Sequence, residues 1–544
     1  MAQDDNGPFF GLIQSWHFAV QLENDTLCSS IPAVFALLFK CISSDIDFLE
    51  CGNMLCRRLL YHDQMKLFDR NLSAHKSKEH LVDPCIRLLT ELVQFDGGVF
   101  ADTVSRRKST TFQRLDVMLA ARRDHQMAAS GEKKRPPLRE TAVRYVLANL
   151  RLQTPAGKEP LLKDSRIVRT FLQFVAEDPP WLLAEVLQVI RKDILEDKAL
   201  SRSTKERFFN QMTLTNISTL YKYREKTEPS VRPSIRAEAH ALLASICVSP
   251  LHGLFQPKSP LSLHKRSTQS LAAVSTTKSL DSAPTSDRNK SRMNVVGFLQ
   301  NLRPHADILQ ANLITSILKT VPELTSDYFS SKINFTFDPK PTMTWLGYAR
   351  FIMALIQTPL EDAILDNLKF EVAESSWLID TILPQPCNQK TMTKCLNQSS
   401  PLITFTTLAI LNAAFNKLQS ISKVLSAAND VGSAKKLREQ IYMDFTVRCP
   451  DIRHVIAQFR GCNKDGHILR EASLRLLASY YVLLPDVAYG TKLDISNDLS
   501  VALTTQHSLF SIRTGSDIQI LEINQLIKVA SFSPTMEWFH KTGE

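Results

Sequence analysis

The sequence predicts an all-α protein: an irregular α-solenoid of HEAT/armadillo-like stacked helices, interrupted by one short extended segment near 332–341. Three observations lead there. Glycine is scarce, at 16 in 544 residues, where ordinary usage of roughly 7% would give about 38. Phosphate-cradling loops, tight hairpins and many active-site turns lean on glycine, so the deficit argues against nucleotide-binding α/β folds. Apolar residues recur at helical spacing along most of the chain. Finally, hydrophobic residues make up 44% of the sequence, ample for a large core.

The elements follow in order. Ile31–Ile42 (IPAVFALLFKCI) reads as a helix, too short to span a bilayer and carrying Lys40. Phe48–Leu60 places Leu49, Met54, Cys56 and Leu59 toward one side and Glu50, Arg57 and Arg58 toward water. His80–Phe95 comes next, with Pro84 expected in the first turn, where a missing N–H is harmless. The same periodicity marks Thr141–Leu152, Ile167–Glu177, Trp181–Ile194, Thr204–Tyr223 and Ile235–Val248. It resumes at Val295–Leu302, Ala311–Thr320, Trp345–Gln357 and Ser400–Leu418, then at His467–Leu484 and Ile518–Ala530. Many helices with short connections favour a stacked superhelix over one compact bundle. No fixed period is evident, so no named repeat class is assigned. Lys332–Pro341 (KINFTFDPKP) alternates Ile333, Phe335 and Phe337 with polar residues, as a strand or an extended clip across helices would.

The expected organisation is an N-terminal half of the solenoid over 1–249, a disordered Ser/Thr/Lys-rich linker over 250–292 and a C-terminal half over 293–544. The linker has almost no large apolar residues to offset its ordering entropy. Without a secretory signal before the first helix, the chain is expected to be soluble and intracellular.

A search for chemistry is unproductive. The ten cysteines include no C-x-x-C pair and sit among apolar helical residues, as small buried hydrophobes in a reducing compartment would. His75 and His80 lack a third metal ligand nearby and read as solvated. Glu361 with Asp362, and Glu371 with Glu374, read as helix caps or solvated faces. Phosphate-loop, dinucleotide, zinc-protease and serine-hydrolase motifs are all missing. The expectation is no enzyme, no metal and no cofactor. Trp16, Trp181, Trp345 and Trp377 read as core residues or inter-helix wedges.

Charge is more informative. The chain carries a net +10 and a pI of about 9.0. Ala101–Pro160 alone has thirteen Lys and Arg against six Asp and Glu. The candidate RNA-contacting residues are Arg106, Arg107, Lys108, Arg114, Arg122, Arg123, Lys133, Lys134, Arg135 and Arg139. Several guanidinium forks on phosphate oxygens would give salt-dependent binding. The plainer readings are a solvated loop or a nuclear-localisation patch. Aromatics able to stack bases are sparse there (Phe112, Tyr145), which favours backbone and shape contact over sequence readout.

Five blocks together carry a family resemblance: LIQSWHFAVQ from Leu12, HDQMKLFDRNLSAHKSKEHLVDPCIRLLTELVQFDGGVFA from His62, KRPPLRETAVRYVLANL from Lys134, STKERFFNQMTLTNISTLYKY from Ser203, and LITSILKTVPELTSDYFSSKINFTFDPKPTMTWLGYARFI from Leu313. The chain resembles the N-terminal domain of the nucleolar pre-ribosomal-associated protein 1 family, fungal branch. The resemblance implies a non-catalytic scaffold in early nucleolar assembly of the large ribosomal subunit. It implies an α-solenoid that associates with pre-ribosomal RNA and small nucleolar RNAs, in a complex with a DEAD-box helicase and other assembly factors. Neither a membrane nor a small-molecule substrate is implied, and no catalytic residues carry over. The alternative is a helical-repeat protein–protein hub, or a transport-type adaptor, without direct RNA contact.

Overall fold

A computed structural model of the chain describes residues 9–121, 137–224, 234–249, 285–330, 337–360, 375–427, 431–462, 467–510, 517–533 and 536. Among these residues the regular elements are helices, with no strand. The chain divides into two compact units, Met1–Ile246 and Cys247–Glu544.

The first unit opens with α1 (Phe10–Gln21), α2 (Asp25–Ile42), α3 (Leu49–Leu59), α4 (His62–Leu72) and α5 (Glu79–Gln94). Three short helices follow, α6 (Ala101–Arg106), α7 (Lys108–Thr111) and α8 (Leu115–Leu119). Then come α9 (Leu138–Leu152), α10 (Pro155–Lys163), α11 (Ser165–Gln173), α12 (Pro180–Val189), α13 (Arg202–Phe208) and α14 (Gln211–Ser218), with α15 (Ile235–Val248) at the boundary.

Helix α2 starts earlier than its apolar run suggests, because the Asn24 side chain caps it by accepting from Leu27 N at 3.2 Å. At 18 residues and a mean hydropathy of 1.5 it is long and apolar enough to cross a bilayer, so the expected shortness does not hold. Its Cys28, Ile31, Phe35 and Phe39 are buried in the unit's core, where α2 packs on α5.

Two prolines shape this packing. Pro32 lies inside α2 and Pro84 inside α5. Pro84 falls in the second turn rather than the first, because a 3-10 turn over Lys76–Lys78 leads into α5 and the helix already begins at Glu79. Each proline removes the amide that would bond the carbonyl four residues back. Both orphaned carbonyls find a donor on a neighbouring helix. Asn71 Nδ2 of α4 donates to Cys28 O at 2.9 Å, and Ser29 Oγ of α2 donates to His80 O at 2.6 Å.

On α3 the buried face is Gly52, Leu55, Cys56 and Leu59. Met54, expected on that side, is 54% exposed. At 100° per residue it falls opposite the buried stripe. Aromatic edges tie the core together, Trp16 to Phe68 at 5.1 Å and Phe39 to Phe95 at 5.4 Å. Helix α9 is central: every residue from Leu138 to Leu150 except Arg144 is buried. The single helix expected over Thr204–Tyr223 is broken. Phe208 and Phe209 both turn into the core, and Asn210 restarts the chain by accepting from Thr213 N at 3.1 Å.

The second unit contains α16 (Thr285–Asn301), α17 (Ile308–Thr320), α18 (Leu324–Ser330), α19 (Met343–Gln357), α20 (Ser375–Ile382), α21 (Gln389–Leu396) and α22 (Pro401–Ser426). Its last part is α23 (Val431–Arg448), α24 (Ile452–Gly461), α25 (His467–Leu483), α26 (Pro485–Tyr489), α27 (Ser496–Phe510) and α28 (Asp517–Phe532). The 26-residue α22 is its spine, packing on α19, α23 and α25. Phe415 meets Phe445 at 4.9 Å and Tyr480 at 4.7 Å. Asn412 Nδ2 donates to Ala472 O of α25 at 3.0 Å. On α20, the almost fully buried Asp380 accepts from Arg448 Nη1 of α23 at 2.5 Å.

Two expectations meet the structure in part. The segment 250–284 lies outside the described residues, but helix begins at Thr285, so the last residues of the expected 250–292 linker are helical. The physical reason is the anchor that follows. Val295, Val296, Phe298 and Leu299 are buried, and Arg292 pairs with Asp327 of α18 at 2.5 Å. Of the extended segment, 331–336 lies outside the described residues. Phe337 does act as a clip: it is 2% exposed and stacks on Trp345 at 5.2 Å.

Candidate nucleic-acid interface

The basic region begins on α6 and α7. Arg106 and Lys108 are exposed and Arg107 is half-buried. Thr111 Oγ1 donates to Val104 O at 3.0 Å, which folds the α6–α7 turn back on itself. Arg114 has a left-handed backbone with φ of 53°. Its Nη1 donates to Ser73 O at 2.6 Å and Ala74 O at 2.7 Å, capping the C-terminus of α4. Leu115, Met118 and Leu119 then bury their side chains, seating α8 on α9 and α11.

Arg139 occupies the first turn of α9 and is 4% exposed. Its guanidinium forks onto Asp178, Nε to Oδ1 at 2.8 Å and Nη2 to Oδ2 at 2.7 Å. The same group donates to Thr170 O at 3.1 Å, Phe171 O at 3.0 Å and Leu119 O. It therefore ties the end of α8, the start of α9 and the end of α11 into one knot. An Arg so engaged has no donor left for a phosphate, and the expectation that Arg139 contacts RNA is corrected on that ground. Arg114 commits only its Nη1 to two carbonyls. Lys158, also among the thirteen cations of this stretch, is internal: its Nζ pairs with Asp197 at 2.8 Å.

Arg122, Arg123, Lys133, Lys134 and Arg135 lie outside the described residues. What is described is the pair of stems between which they are strung. Leu119 of α8 and Arg139 of α9 are joined directly. Ala121 and Leu138 line the same groove of about 300 Å³, together with His75, Glu79, Arg114 and Asp116.

Neither aromatic of the stretch is exposed. Tyr145 is fully buried, which pushes its hydroxyl up, and Phe112 meets it edge-on at 6.0 Å. The sequence reading missed a different aromatic. Trp181, expected to be a core or wedge residue, is 44% exposed at the start of α12, with the Arg144 guanidinium 4.7 Å from its ring centre. Arg144 also pairs with Glu140 at 3.2 Å. A Trp behind two prolines, Pro179 and Pro180, was the available hint, since it falls at a helix entrance rather than mid-stripe. Trp16 and Trp345 are buried as expected, and Trp377 is half-buried.

Catalytic readings gain nothing. Among the described residues no group of three His, Cys, Asp or Glu is placed to hold a metal ion. Seven of the ten cysteines are buried and all are free thiols. Burial pushes Cys85 and Cys247 up to about 12 and Cys395 to about 11, away from thiolate chemistry. The carboxylates at 361, 362, 371 and 374 lie outside the described residues.

With this geometry in place, the comparisons with known proteins are specific. The profile of the ribosome 60S biogenesis N-terminal family matches residues 10–348, more than half of the chain. Nucleolar pre-ribosomal-associated protein 1 of Saccharomyces cerevisiae is 23% identical over 496 residues, covering 89% of this chain and 27% of its own length. The protein of the same name from Homo sapiens is 22% identical over 409 residues, covering 70% of this chain and 16% of itself. That of Mus musculus is 22% identical over 471 residues, covering 79% and 18%. The chain thus spans about a quarter of the length of the yeast relative, and less of the mammalian ones.

Proposed function

The chain belongs to the ribosome 60S biogenesis N-terminal family, and from that premise we propose that it is a non-catalytic scaffold which binds pre-ribosomal RNA while the large subunit is assembled. The relatives are named as nucleolar, and the nucleolus is its compartment. In this reading the two units are stretches of an irregular α-solenoid. Packing between helices a few places apart supports it, α2 on α5 and α5 on α9 in one unit, α22 on α25 and α25 on α28 in the other. Small nucleolar RNAs, a DEAD-box helicase and further assembly factors are the proposed partners.

One observation carries the RNA contact: the Arg139 knot joins the described residues Leu119 and Arg139, which flank a stretch of sequence with five Lys and Arg. Cations clustered in sequence can track a phosphate backbone without base readout. A second reading, a protein–protein hub without RNA contact, is favoured by exposed apolar side chains on the first two helices and just after the first. Leu22 is 77%, Leu37 64% and Phe18 60% exposed.

One titration separates the two. RNA affinity is measured against salt for the chain and for a variant with Arg106, Arg107, Lys108, Arg122, Arg123, Lys133, Lys134 and Arg135 changed to Gln. The scaffold reading expects weaker binding and a shallower salt slope in the variant. Unchanged affinity and slope would sink the assignment, and purified chain that ignores RNA yet retains proteins would favour the hub.

A further inference from the structure

A groove of about 430 Å³ lies in the second unit, between the C-terminal end of α19 and the middle of α22. That is within the ordinary size of a ligand-sized cleft, roughly 300–1,000 Å³. Ala413, Lys417, Ile421 and Val424 recur at helical spacing and form one wall, and Ile356 and Leu360 form the other. Helix α19 stops at Gln357, and Pro359 carries the chain away without continuing the helix.

One charge stands in this mostly aliphatic cleft. Lys417 is half-buried, and among the described residues its ammonium forms no hydrogen bond or ion pair. Burial pushes the ammonium down to about 8, with no charged neighbour acting on it. An unpaired cation next to apolar walls is costly, and a carboxylate placed there would form a charge-assisted pair in a sheltered setting. A phosphate backbone is a poorer match. It is held by several cations in a row, and the groove offers one ammonium flanked by aliphatic side chains.

We propose that this groove is a docking site for an acidic, apolar peptide segment of a protein partner, with Lys417 taking a Glu or Asp carboxylate and the α19 and α22 walls taking neighbouring Leu-type side chains. The site is independent of the RNA contact: it lies in the other unit and outside residues 10–348.

The test uses the full chain and a fluorescein-labelled amphipathic peptide of Leu and Glu, with a Leu and Gln peptide as control, read by anisotropy. The acidic peptide is expected to bind, and the Gln peptide to bind roughly tenfold more weakly. Lys417→Gln is expected to abolish that difference while leaving thermal unfolding cooperative. Carbodiimide coupling of the bound acidic peptide is expected to map to Lys417 by mass spectrometry. Failure of the wild-type chain to bind either peptide overturns the proposal. So does equal binding of both, or discrimination that survives Lys417→Gln. Displacement of the peptide by a uridine oligonucleotide that shields Lys417 overturns it in favour of a nucleic-acid groove.

Discussion

Arg139 and Asp178 form a forked, buried ion pair, with their side chains 5% and 6% exposed and Nη2 2.7 Å from Oδ2. The same guanidinium caps the end of α11 and holds Leu119, so one side chain closes the base of the basic segment. Removing either partner leaves the other charge buried and alone. Arg139→Met is expected to cost about 3–5 kcal/mol in urea denaturation, and Arg139→Met with Asp178→Leu to recover part of that loss. A single-mutant loss below about 1 kcal/mol would mean that the pair is not internal in solution.

Salt dependence reads the RNA contact directly. Each phosphate contact contributes about 0.7 to the slope of log affinity against log salt for single strands. Changing Arg106 and Lys108 to Gln, both exposed, is expected to lower the slope by roughly 1.4 if both touch phosphate. Arg139→Met acts differently, through loss of the knot and of stability. Equal slopes for wild type and the exposed-site variant would remove α6 and α7 from the interface.

The paired proline defects predict a rescue. Asn71 is 2% exposed and supplies the donor that Pro32 denies to Cys28 O. Asn71→Ala is expected to cost about 1–3 kcal/mol, since a buried carbonyl loses its partner. Pro32→Ala restores an amide at that point, so Asn71→Ala should cost less in the Pro32→Ala background. Ser29→Ala, at the more exposed His80 carbonyl, should cost less than Asn71→Ala. Additive losses in the double mutant would refute the account.

Lys417 gives the chain a pH signature. Its folded ammonium is held down to about 8, below the ordinary 10.5. Between those values the unfolded chain binds more protons, so this group makes stability rise with pH from about 8 to about 10.5. Below about 8 it is charged in both states and its burial cost is fully present. The difference in unfolding free energy, wild type minus Lys417→Met, should therefore rise across that window, with Lys417→Met the more stable at neutral pH. A flat difference would show the ammonium to be solvated.

Gly347 sits where a β-carbon would lie 2.3 Å from His305 O. Backbone cannot yield as a side-chain end can, so Gly347→Ala must move α19 or the turn before α17. The expected cost is about 1–3 kcal/mol, measured by thermal unfolding.

Much of the helical pattern was legible from periodicity. Ile235–Val248 and His467–Leu484 match α15 and α25 to within a residue, because long stripes of buried residues outlast local noise. Helices with polar composition or few turns were passed over, α4 and α23 among them, since their amphipathic signal is short or weak. The break at Phe209 was invisible to periodicity, as two adjacent Phe residues both find the core only once neighbouring helices are in place. For the candidate interface, charge concentration nominated a stretch of chain but could not sort its buried cations from its exposed ones.

By itself the sequence determined the helical class, the scarcity of turns that catalysis favours, and the clustering of cations between Ala101 and Pro160. Each is a local property, carried by composition and by spacing within one helix. Tertiary structure alone decided which cations face outward. Arg139 and Asp178 are 39 residues apart, as are Lys158 and Asp197, and no local rule brings either pair together. Burial and pairing are properties of the packed interior, so an arginine that looks free in a basic run can be the residue that holds the run in place.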